Sequence, residues 1–286
     1  IVQSSPDRFF TRYKPHILYT PYNLFSYICP MSKVFMKYAL TLLLTVLLLK
    51  GEAHYSANDT ALNIPMFYAS YAFALPGGDL ADRFGPSSVV GGGFQFKSKT
   101  NWLVGANFDF IFGNQVKESD SLLLNLKTES GYIIDMAGNF TDYSLYERGY
   151  TVTAKVGKLF PVLSPNPNSG FYVTASMGYI RHKIRIEVLN NTAPQLQGDY
   201  KKGYDRLTGG FVISQFVGYM FLSDNRLLNF FGGFEFTQSW TSPQRDINFD
   251  TMEPDKKTSR FDALNGFKIG WIIPIFTREP EKFYYY

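Results

Sequence analysis

Residues 102–112 read WLVGANFDFIF, and this stretch decides the fold class. Alternate side chains from Trp102 through Phe108 to Phe112 are apolar, while the positions between them include Asn107 and Asp109. A period of two places successive side chains on opposite faces of a β-strand. A tilted strand of about 9–11 residues crosses a bilayer. The stretch therefore predicts a membrane-crossing strand with an aromatic face toward lipid and a polar face toward a barrel interior.

Seven further segments of the chain alternate in the same way. They span residues 64–76, 89–97, 149–160, 170–188, 204–222, 227–241 and 259–275. Short turns and long loops alternate between them, which is typical of transmembrane β-barrels. Because unpaired strand edges are not tolerated in hydrocarbon, the sheet must close. We therefore predict an all-β fold over residues 54–275, a closed antiparallel eight-stranded transmembrane β-barrel with up-and-down topology.

The N-terminal region has a different character. Residues 31–53 carry Lys33 and Lys37 ahead of an apolar run at 38–49, and small residues precede a cut after Ala53. This order predicts a secretory signal peptide that is cleaved near Ala53. Residues 1–30 show no hydrophobic period and are interpreted as an upstream extension that does not belong to the native protein.

An even number of strands, together with a signal peptide, predicts that both termini lie in the periplasm. Residues 276–286 end in Phe283-Tyr284-Tyr285-Tyr286 and are expected to form a periplasmic aromatic tail. The expected location is the outer membrane of a Gram-negative cell.

The charge balance argues against a nucleic-acid partner. The whole chain has 28 basic and 24 acidic residues, but six of the basic and two of the acidic ones lie in residues 1–53, which leaves 22 of each. A neutral chain lacks the basic surface that nucleic acid requires. The single cysteine, Cys29, excludes a disulfide framework and a cysteine-based metal cluster. We expect neither a metal nor a cofactor.

Strand parity directs several charged side chains toward the barrel interior. We expect Asp109 to pair with Lys155 and Glu235 to pair with Lys268 because each pair lies on neighbouring strands at similar depth. Arg206 and Asp262 are expected to join them near the outer mouth. Pairing lowers the cost of burying ions. The hypothesis is an interior plugged by salt bridges, and the alternative is a narrow small-solute channel.

Aromatic side chains near strand ends predict two interfacial belts. Trp102, Tyr219 and Trp271 would mark the periplasmic interface, while Tyr179 and Trp240 would mark the outer one. A soluble ligand-binding barrel is the alternative, but it would have an apolar interior and a polar exterior.

Three basic side chains continue the lipid-facing parity beyond Tyr179. Arg181, Lys183 and Arg185 lie outside the outer belt, where cations can contact the phosphates of lipopolysaccharide. The alternative is a solvated hairpin.

An enzymatic role is the weaker alternative. A barrel that modifies lipid A needs a histidine with a serine or an acid beside it. His182 is the only histidine within a predicted strand, and no spacing links it to such a partner. Asp246, Asn248 and Asp250 have the spacing of calcium ligands but lack the turn glycine, so we interpret them as a solvated loop.

Several motifs support a family resemblance. Gly203-Tyr204-Asp205-Arg206 and residues 229–236 (NFFGGFEF), with the leader, the eight alternating strands and the aromatic tail, resemble small OmpA/PorT-like eight-stranded outer-membrane barrels of the phylum Bacteroidota. Residues 266–271 are similar to a last-strand insertion signal. Asp59-Thr60-Ala61, Asp120-Ser121-Leu122 and Asp250-Thr251-Met252 match an O-glycosylation pattern of that phylum.

The resemblance implies insertion by the barrel-assembly machinery and no catalytic motif. We expect a monomeric structural or anchoring protein, or a subunit of an envelope complex, that contacts lipid and lipopolysaccharide. Loop 113–148 and the C-terminal tail are the candidate contacts for a protein partner. The alternative for the loop is that its apolar stretch 121–126 packs over the barrel mouth, and the alternative for the tail is a disordered end.

Overall fold

The computed structural model describes residues 61–188, 192–223, 228–254 and 258–275. The predicted extension 1–30, signal peptide 31–53 and tail 276–286 lie outside these residues, as do Asp59 and Thr60 of the first glycosylation triplet. Within the described residues, no helix has the length and hydropathy needed to span a membrane.

Eight long strands dominate the chain and follow the predicted alternation. They are β1 (Ile64–Gly78), β2 (Ser87–Lys97), β3 (Trp102–Gly113), β6 (Tyr143–Phe160), β7 (Gly170–Val188), β8 (Thr208–Phe221), β9 (Phe230–Pro243) and β12 (Arg260–Pro274). Four two-residue strands, β4 (Ile133–Ile134), β5 (Phe140–Thr141), β10 (Ile247–Asn248) and β11 (Glu253–Pro254), form two small hairpins in the loops. Short helices α1 (Asp79–Arg83) and α2 (Ser119–Leu122) and 3₁₀ turns Leu124–Leu126, Pro194–Leu196 and Tyr200–Gly203 complete the elements.

The eight long strands form one closed antiparallel ring. Each pairs with its neighbour along the chain, and β12 returns to β1 through a register that runs from Met66↔Pro274 to Gly78↔Asp262. The predicted eight-stranded barrel with up-and-down topology is confirmed. One end of the barrel, here the short-turn end, carries the connections β2–β3, β6–β7 and β8–β9. The other end, the long-loop end, carries the longer connections.

Two strand boundaries differ from the prediction by four residues or more. β6 begins at Tyr143, six residues early, because it continues to pair with β7 as far as Tyr143↔Val188 beyond the rest of the barrel. β8 begins at Thr208 instead of residue 204, because a 3₁₀ turn and Arg206, with a φ of 43°, interrupt the extended backbone.

The outer surface between the two ends is a band of exposed apolar side chains. Phe67, Phe108, Phe234 and Phe267 each expose about half of their surface. Gln215 interrupts this band, and its Nε2 donates to Gln238 Oε1 at 3.1 Å.

The buried side chains form two clusters inside the ring. The short-turn cluster includes Met66, Tyr172, Phe216, Met220 and Phe231. The long-loop cluster includes Leu80, Phe84, Ile111, Leu122 and Ile184. Polar and charged side chains lie between and around these clusters, so the interior alternates between apolar and polar layers.

Candidate functional site

The middle of the interior holds a buried cluster of charges. Lys268 Nζ lies 3.1 Å from Glu235 Oε1 and 3.3 Å from Asp109 Oδ1. Lys155 Nζ donates to Tyr68 Oη at 2.8 Å and lies 4.0 Å from the centre of the Tyr68 ring. Tyr68 donates in turn to Asn107. A single lysine therefore bridges two carboxylates from different walls of the barrel.

The pairing of Lys268 with Glu235 follows from the strand register. Lys268 lies opposite Gly233 and Glu235 lies opposite Gly266, so the two charged residues are diagonal neighbours on adjacent strands. Their charged atoms lie within salt-bridge distance, as strand parity predicts.

The predicted pair of Asp109 with Lys155 does not form. Asp109 lies opposite Thr151, four residues from Lys155 along β6. The two side chains therefore sit at different depths, and Lys155 turns to Tyr68 while Asp109 bonds to Lys268. Parity gives the correct face for both residues but not their depth.

Glycines on β2 make room for this cluster. A Cβ atom on Gly91 would clash with the carboxylate of Asp109, and one on Gly93 would clash with the Tyr68 side chain. Gly91 and Gly93, which face the interior, thus leave the volume that the Asp109 and Tyr68 side chains occupy.

An aromatic layer closes the interior on the short-turn side of the charges. The rings of Tyr68, Tyr172, Phe216 and Phe231 contact one another at centroid distances of 5.4 to 6.0 Å, in tilted or edge-to-face arrangements. All four side chains are buried. Apolar residues nearer the short-turn end pack beneath them, so the aromatic layer is the upper part of a solid floor.

A cavity of about 30 Å³ remains beside the charges. Asp109, Glu235, Thr151 and Ser214 line it together with apolar side chains such as Ile180. One water occupies about 10–15 Å³ or more on this measure, so the cavity has room for about two waters. It is an internal pocket and not a continuous bore.

A second polar group lies nearer the long-loop end. His182 Nε2 is 3.1 Å from Asp262 Oδ2, which also accepts a hydrogen bond of 2.5 Å from Thr241 Oγ1. Glu147 accepts a hydrogen bond from Ser87. His182 and Asp262 are 80 positions apart in the sequence, which is why no motif identified Asp262 as the partner of the histidine.

Arg206 and Asp262, which were expected to meet near the mouth, do not. Arg206 lies in the turn before β8, and it bonds to Asp250 at 2.5 Å and to Glu118 at 3.4 Å. Asp262 lies within β12 and bonds to His182. Arg206 therefore joins the long loops to one another instead of neutralising the interior.

The long loops and α1 close the outer end. Arg83 Nη1 donates to Thr208 Oγ1 at 3.1 Å, and Arg83 Nη2 donates to the Arg206 carbonyl at 3.0 Å. Burial lowers the pKa of Arg83, and the nearby Glu118 carboxylate opposes this shift. Phe84 is completely buried, with its ring edge-to-face against His182. The apolar segment 121–126 of the longest loop adds Leu122 and Leu123 to this cap.

The predicted belt residues lie on the outer surface at the two ends. Trp102 and Trp271 are about half exposed near the short-turn end, where Tyr219 donates to the Leu163 carbonyl at 3.0 Å. Tyr179 and Trp240 are exposed toward the long-loop end.

The three predicted rim cations differ in their contacts. Arg185 lies 2.7 Å from Glu187, and Lys183 lies 3.9 Å from Asp205. Arg181 Nε is buried without a hydrogen-bond partner. Arg148 and Arg245, which the sequence does not predict at this rim, line the same surface cavity as Arg181 and Lys183. Their spacing in the sequence gives no sign of this proximity.

Among the described residues, no group of three or more histidine or acidic side chains is placed to hold a metal ion. Asp250 of the calcium-like spacing bonds to Arg206 instead.

Comparisons with known proteins identify no family. No family model and no curated protein matches the chain. Solved structures with a similar fold include Neisserial surface protein A (12% identity, TM-score 0.38, 73% of this chain and 96% of that chain). They also include the attachment invasion locus protein Ail of Yersinia pestis (10% identity, TM-score 0.37, 74% and 99%). The outer membrane protein OprG of Pseudomonas aeruginosa is a further example (9% identity, TM-score 0.32, 74% and 97%). These similarities concern the fold alone.

Proposed function

We propose that this protein is an outer-membrane β-barrel with a closed interior, which acts as a structural or anchoring protein or as a subunit of an envelope complex. It carries no catalytic activity in this proposal. The observation that carries it is the filled interior, which has an aromatic floor, a cluster in which Lys268 contacts two carboxylates, and a loop cap.

The outer surface supports a membrane location. Exposed aromatic side chains surround the barrel between its two ends, whereas soluble monomers rarely expose apolar patches larger than a few hundred Å². A closed ring leaves no unpaired strand edge, as hydrocarbon requires. Transmembrane barrels of this size occur in the bacterial outer membrane, which fits the proposed signal peptide, insertion by the barrel-assembly machinery and periplasmic termini.

The interior argues against a conducting pore. A channel needs a continuous water path, but the cavity beside the charges holds only about two waters. Tyr68, Tyr172, Phe216 and Phe231 fill the lumen on one side of it, and Phe84 is buried on the other.

Planar-bilayer recording tests this proposal. The purified barrel, reconstituted at known protein-to-lipid ratio, is expected to give no steady single-channel steps, while an open porin prepared in the same way serves as the positive control. Steady steps of uniform size would contradict the closed interior and favour the small-solute channel.

The hydrogen bond between His182 and Asp262 favours one second candidate, a barrel that modifies lipid A. Imidazole beside carboxylate is the arrangement of a general base. Both side chains are nevertheless at most 2% exposed, beneath Phe84 and Arg83. Mass spectrometry of lipid A from cells with the wild type, with His182→Asn and without the gene is expected to give identical masses. A mass change that requires His182 would support the enzyme.

A protein partner is the remaining part of the proposal. Loop 113–148 exposes Leu124, Met136 and Phe140, which supports a contact on this loop. A tagged copy extracted in mild detergent should co-purify with a defined envelope protein, and shortening residues 132–140 should abolish that capture. The tail 276–286 is a second candidate contact. If the partner protein is lost only when the tail is deleted, the contact lies on the tail and not on the loop.

A further inference from the structure

We infer that the outer rim carries a binding site for the phosphate of an acylated lipid, formed by Arg148, Arg181, Lys183 and Arg245. The inference rests on the proposed function, because it requires the outer surface to face a bilayer. Compared with the predicted rim cations, the site includes Arg148 and Arg245 in addition to Arg181 and Lys183, and it excludes Arg185.

The site is a cavity of about 290 Å³ on the outside of the barrel. Arg148 comes from β6, Arg181 and Lys183 come from β7, and Arg245 follows β9. Phe110, Tyr150 and Leu207 provide an apolar wall, and the described residues that line the cavity include no acid. Four cations thus converge on one cavity, and among the described residues Asp205 is the only carboxylate that pairs with any of them.

The strand register makes this arrangement costly without an anion. Arg148 lies directly opposite Lys183 in the β6–β7 ladder. Like charges directly opposite each other on neighbouring strands are destabilising. An anion held between them would remove this repulsion.

The partners present in the structure do not balance the charge of the four cations. Asp205 is shared between Arg245, at 2.5 and 2.9 Å, and Lys183, at 3.9 Å. Arg148 donates to the carbonyls of Glu147 at 2.7 Å and Gly113 at 3.4 Å, which carry no net charge.

Arg181 provides the sharpest sign of a missing ligand. Its Nε is buried without a hydrogen-bond partner, as are those of Arg83 and Arg206. Those two arginines pair with Glu118, whereas Arg181 takes part in no ion pair in the described part of the chain. Buried polar groups are nearly always satisfied, so an orphaned guanidinium nitrogen indicates an absent anion or water. Guanidinium groups bind phosphate oxygens in paired hydrogen bonds.

The position of the cavity selects a lipid over free phosphate. Arg181 lies one outward-facing position beyond Tyr179, and Arg148 lies one beyond Tyr150. Phe110 lines the cavity and, being 42% exposed, also belongs to the apolar outer band. A phosphate attached to acyl chains satisfies both surfaces at once, with the phosphate among the cations and the chains along the band.

Arg185 provides a matched control. It lies on the same strand and the same face, but it pairs with Glu187 at 2.7 Å and does not line this cavity. Changing Arg185 removes one positive charge from the rim and leaves the proposed site intact.

Native mass spectrometry of the barrel released from nanodiscs tests the inference. The probes are bis-phosphorylated lipid A, the same lipid A after enzymatic dephosphorylation, and inorganic phosphate. We expect the wild type to bind the phosphorylated lipid at least tenfold more tightly than the dephosphorylated one. The variant Arg148→Gln/Arg181→Gln/Lys183→Gln should lose at least tenfold, and Arg185→Gln should stay within twofold of the wild type.

Three outcomes would overturn the inference. Equal binding of both lipids would reduce the cavity to an apolar groove. Displacement of the lipid by millimolar inorganic phosphate would indicate a site for the free ion. Equal losses in Arg185→Gln and the triple variant would indicate a diffuse charge effect. Each preparation is first scored for bilayer insertion, so a barrel that fails to insert counts against the proposed function, and an inserted barrel without lipid selectivity counts against this site alone.

Discussion

Lys268 Nζ lies 3.3 Å from Asp109 Oδ1 across the lumen, and this ion pair connects β12 to β3 although the two strands are not neighbours in the ring. Both side chains are less than 10% exposed. Glu235 completes the cluster from β9. The charges therefore act as a cross-brace between opposite walls, in addition to closing the lumen.

Removal of the lysine should weaken the barrel strongly. Lys268→Met removes the ammonium group that contacts both Asp109 and Glu235, and breaking a buried ion pair in this way costs about 3–5 kcal/mol. Urea unfolding in lipid vesicles, followed by tryptophan fluorescence, measures the change in the free energy of unfolding. The control Lys268→Met/Asp109→Asn/Glu235→Gln removes all three charges and should recover most of the loss. A control as unstable as the single variant would refute the charge argument.

Phe231 should contribute more to stability than its neighbour Phe234. Phe231 is 4% exposed inside the aromatic layer, and its replacement by alanine leaves a cavity that costs about 3–5 kcal/mol. Phe234 is 59% exposed on the outer surface, where lipid chains fill the space that Phe234→Ala vacates. The same unfolding assay compares the two variants. Equal losses would mean that the aromatic layer is not packed as a core.

Arg206 should hold the loop cap together. It bonds to Glu118 in one long loop and to Asp250 in another, so Arg206→Gln should release both. We expect faster cleavage by trypsin within residues 113–148 on folded barrels, identified by mass spectrometry of the fragments. Lys202→Gln is the control, since Lys202 pairs with Asp199 at the solvent-exposed surface. Similar cleavage of both variants would assign the cap to apolar packing.

The two amides on the outer band should lower stability. Gln215 bonds to Gln238 at 3.1 Å, but one such bond between side chains in a membrane contributes only about 0.6 kcal/mol. Gln215→Leu/Gln238→Leu removes polar groups from hydrocarbon and should raise the free energy of unfolding by about 1 kcal/mol. Gln215→Leu alone leaves Gln238 without its hydrogen-bond partner and should raise the free energy of unfolding less. A destabilised double variant would show that the amides bind something outside the barrel.

The alternation of side chains was sufficient to predict all eight long strands, because a period of two directly gives the two faces of a sheet. The alternation does not give the depth at which a side chain lies within the barrel. Asp109 and Lys155 have the correct parity, but the register separates them by four residues. The sequence could not place His182 beside Asp262, or Arg148 and Arg245 around one cavity, because these arrangements arise only when the ring closes and the loops fold over it.

The seam between β1 and β12 also constrains the order in which this protein can form. Met66 of β1 pairs with Pro274 of β12. One edge of β1, the first of the eight strands to be synthesised, therefore stays unpaired until β12, the last of them, is available. Until then both edges of the growing sheet remain able to pair with another chain. Each molecule therefore needs protection from aggregation between its synthesis and the closure of the barrel. Any delay in the pairing of β12 with β1 lengthens the period in which the protein can aggregate.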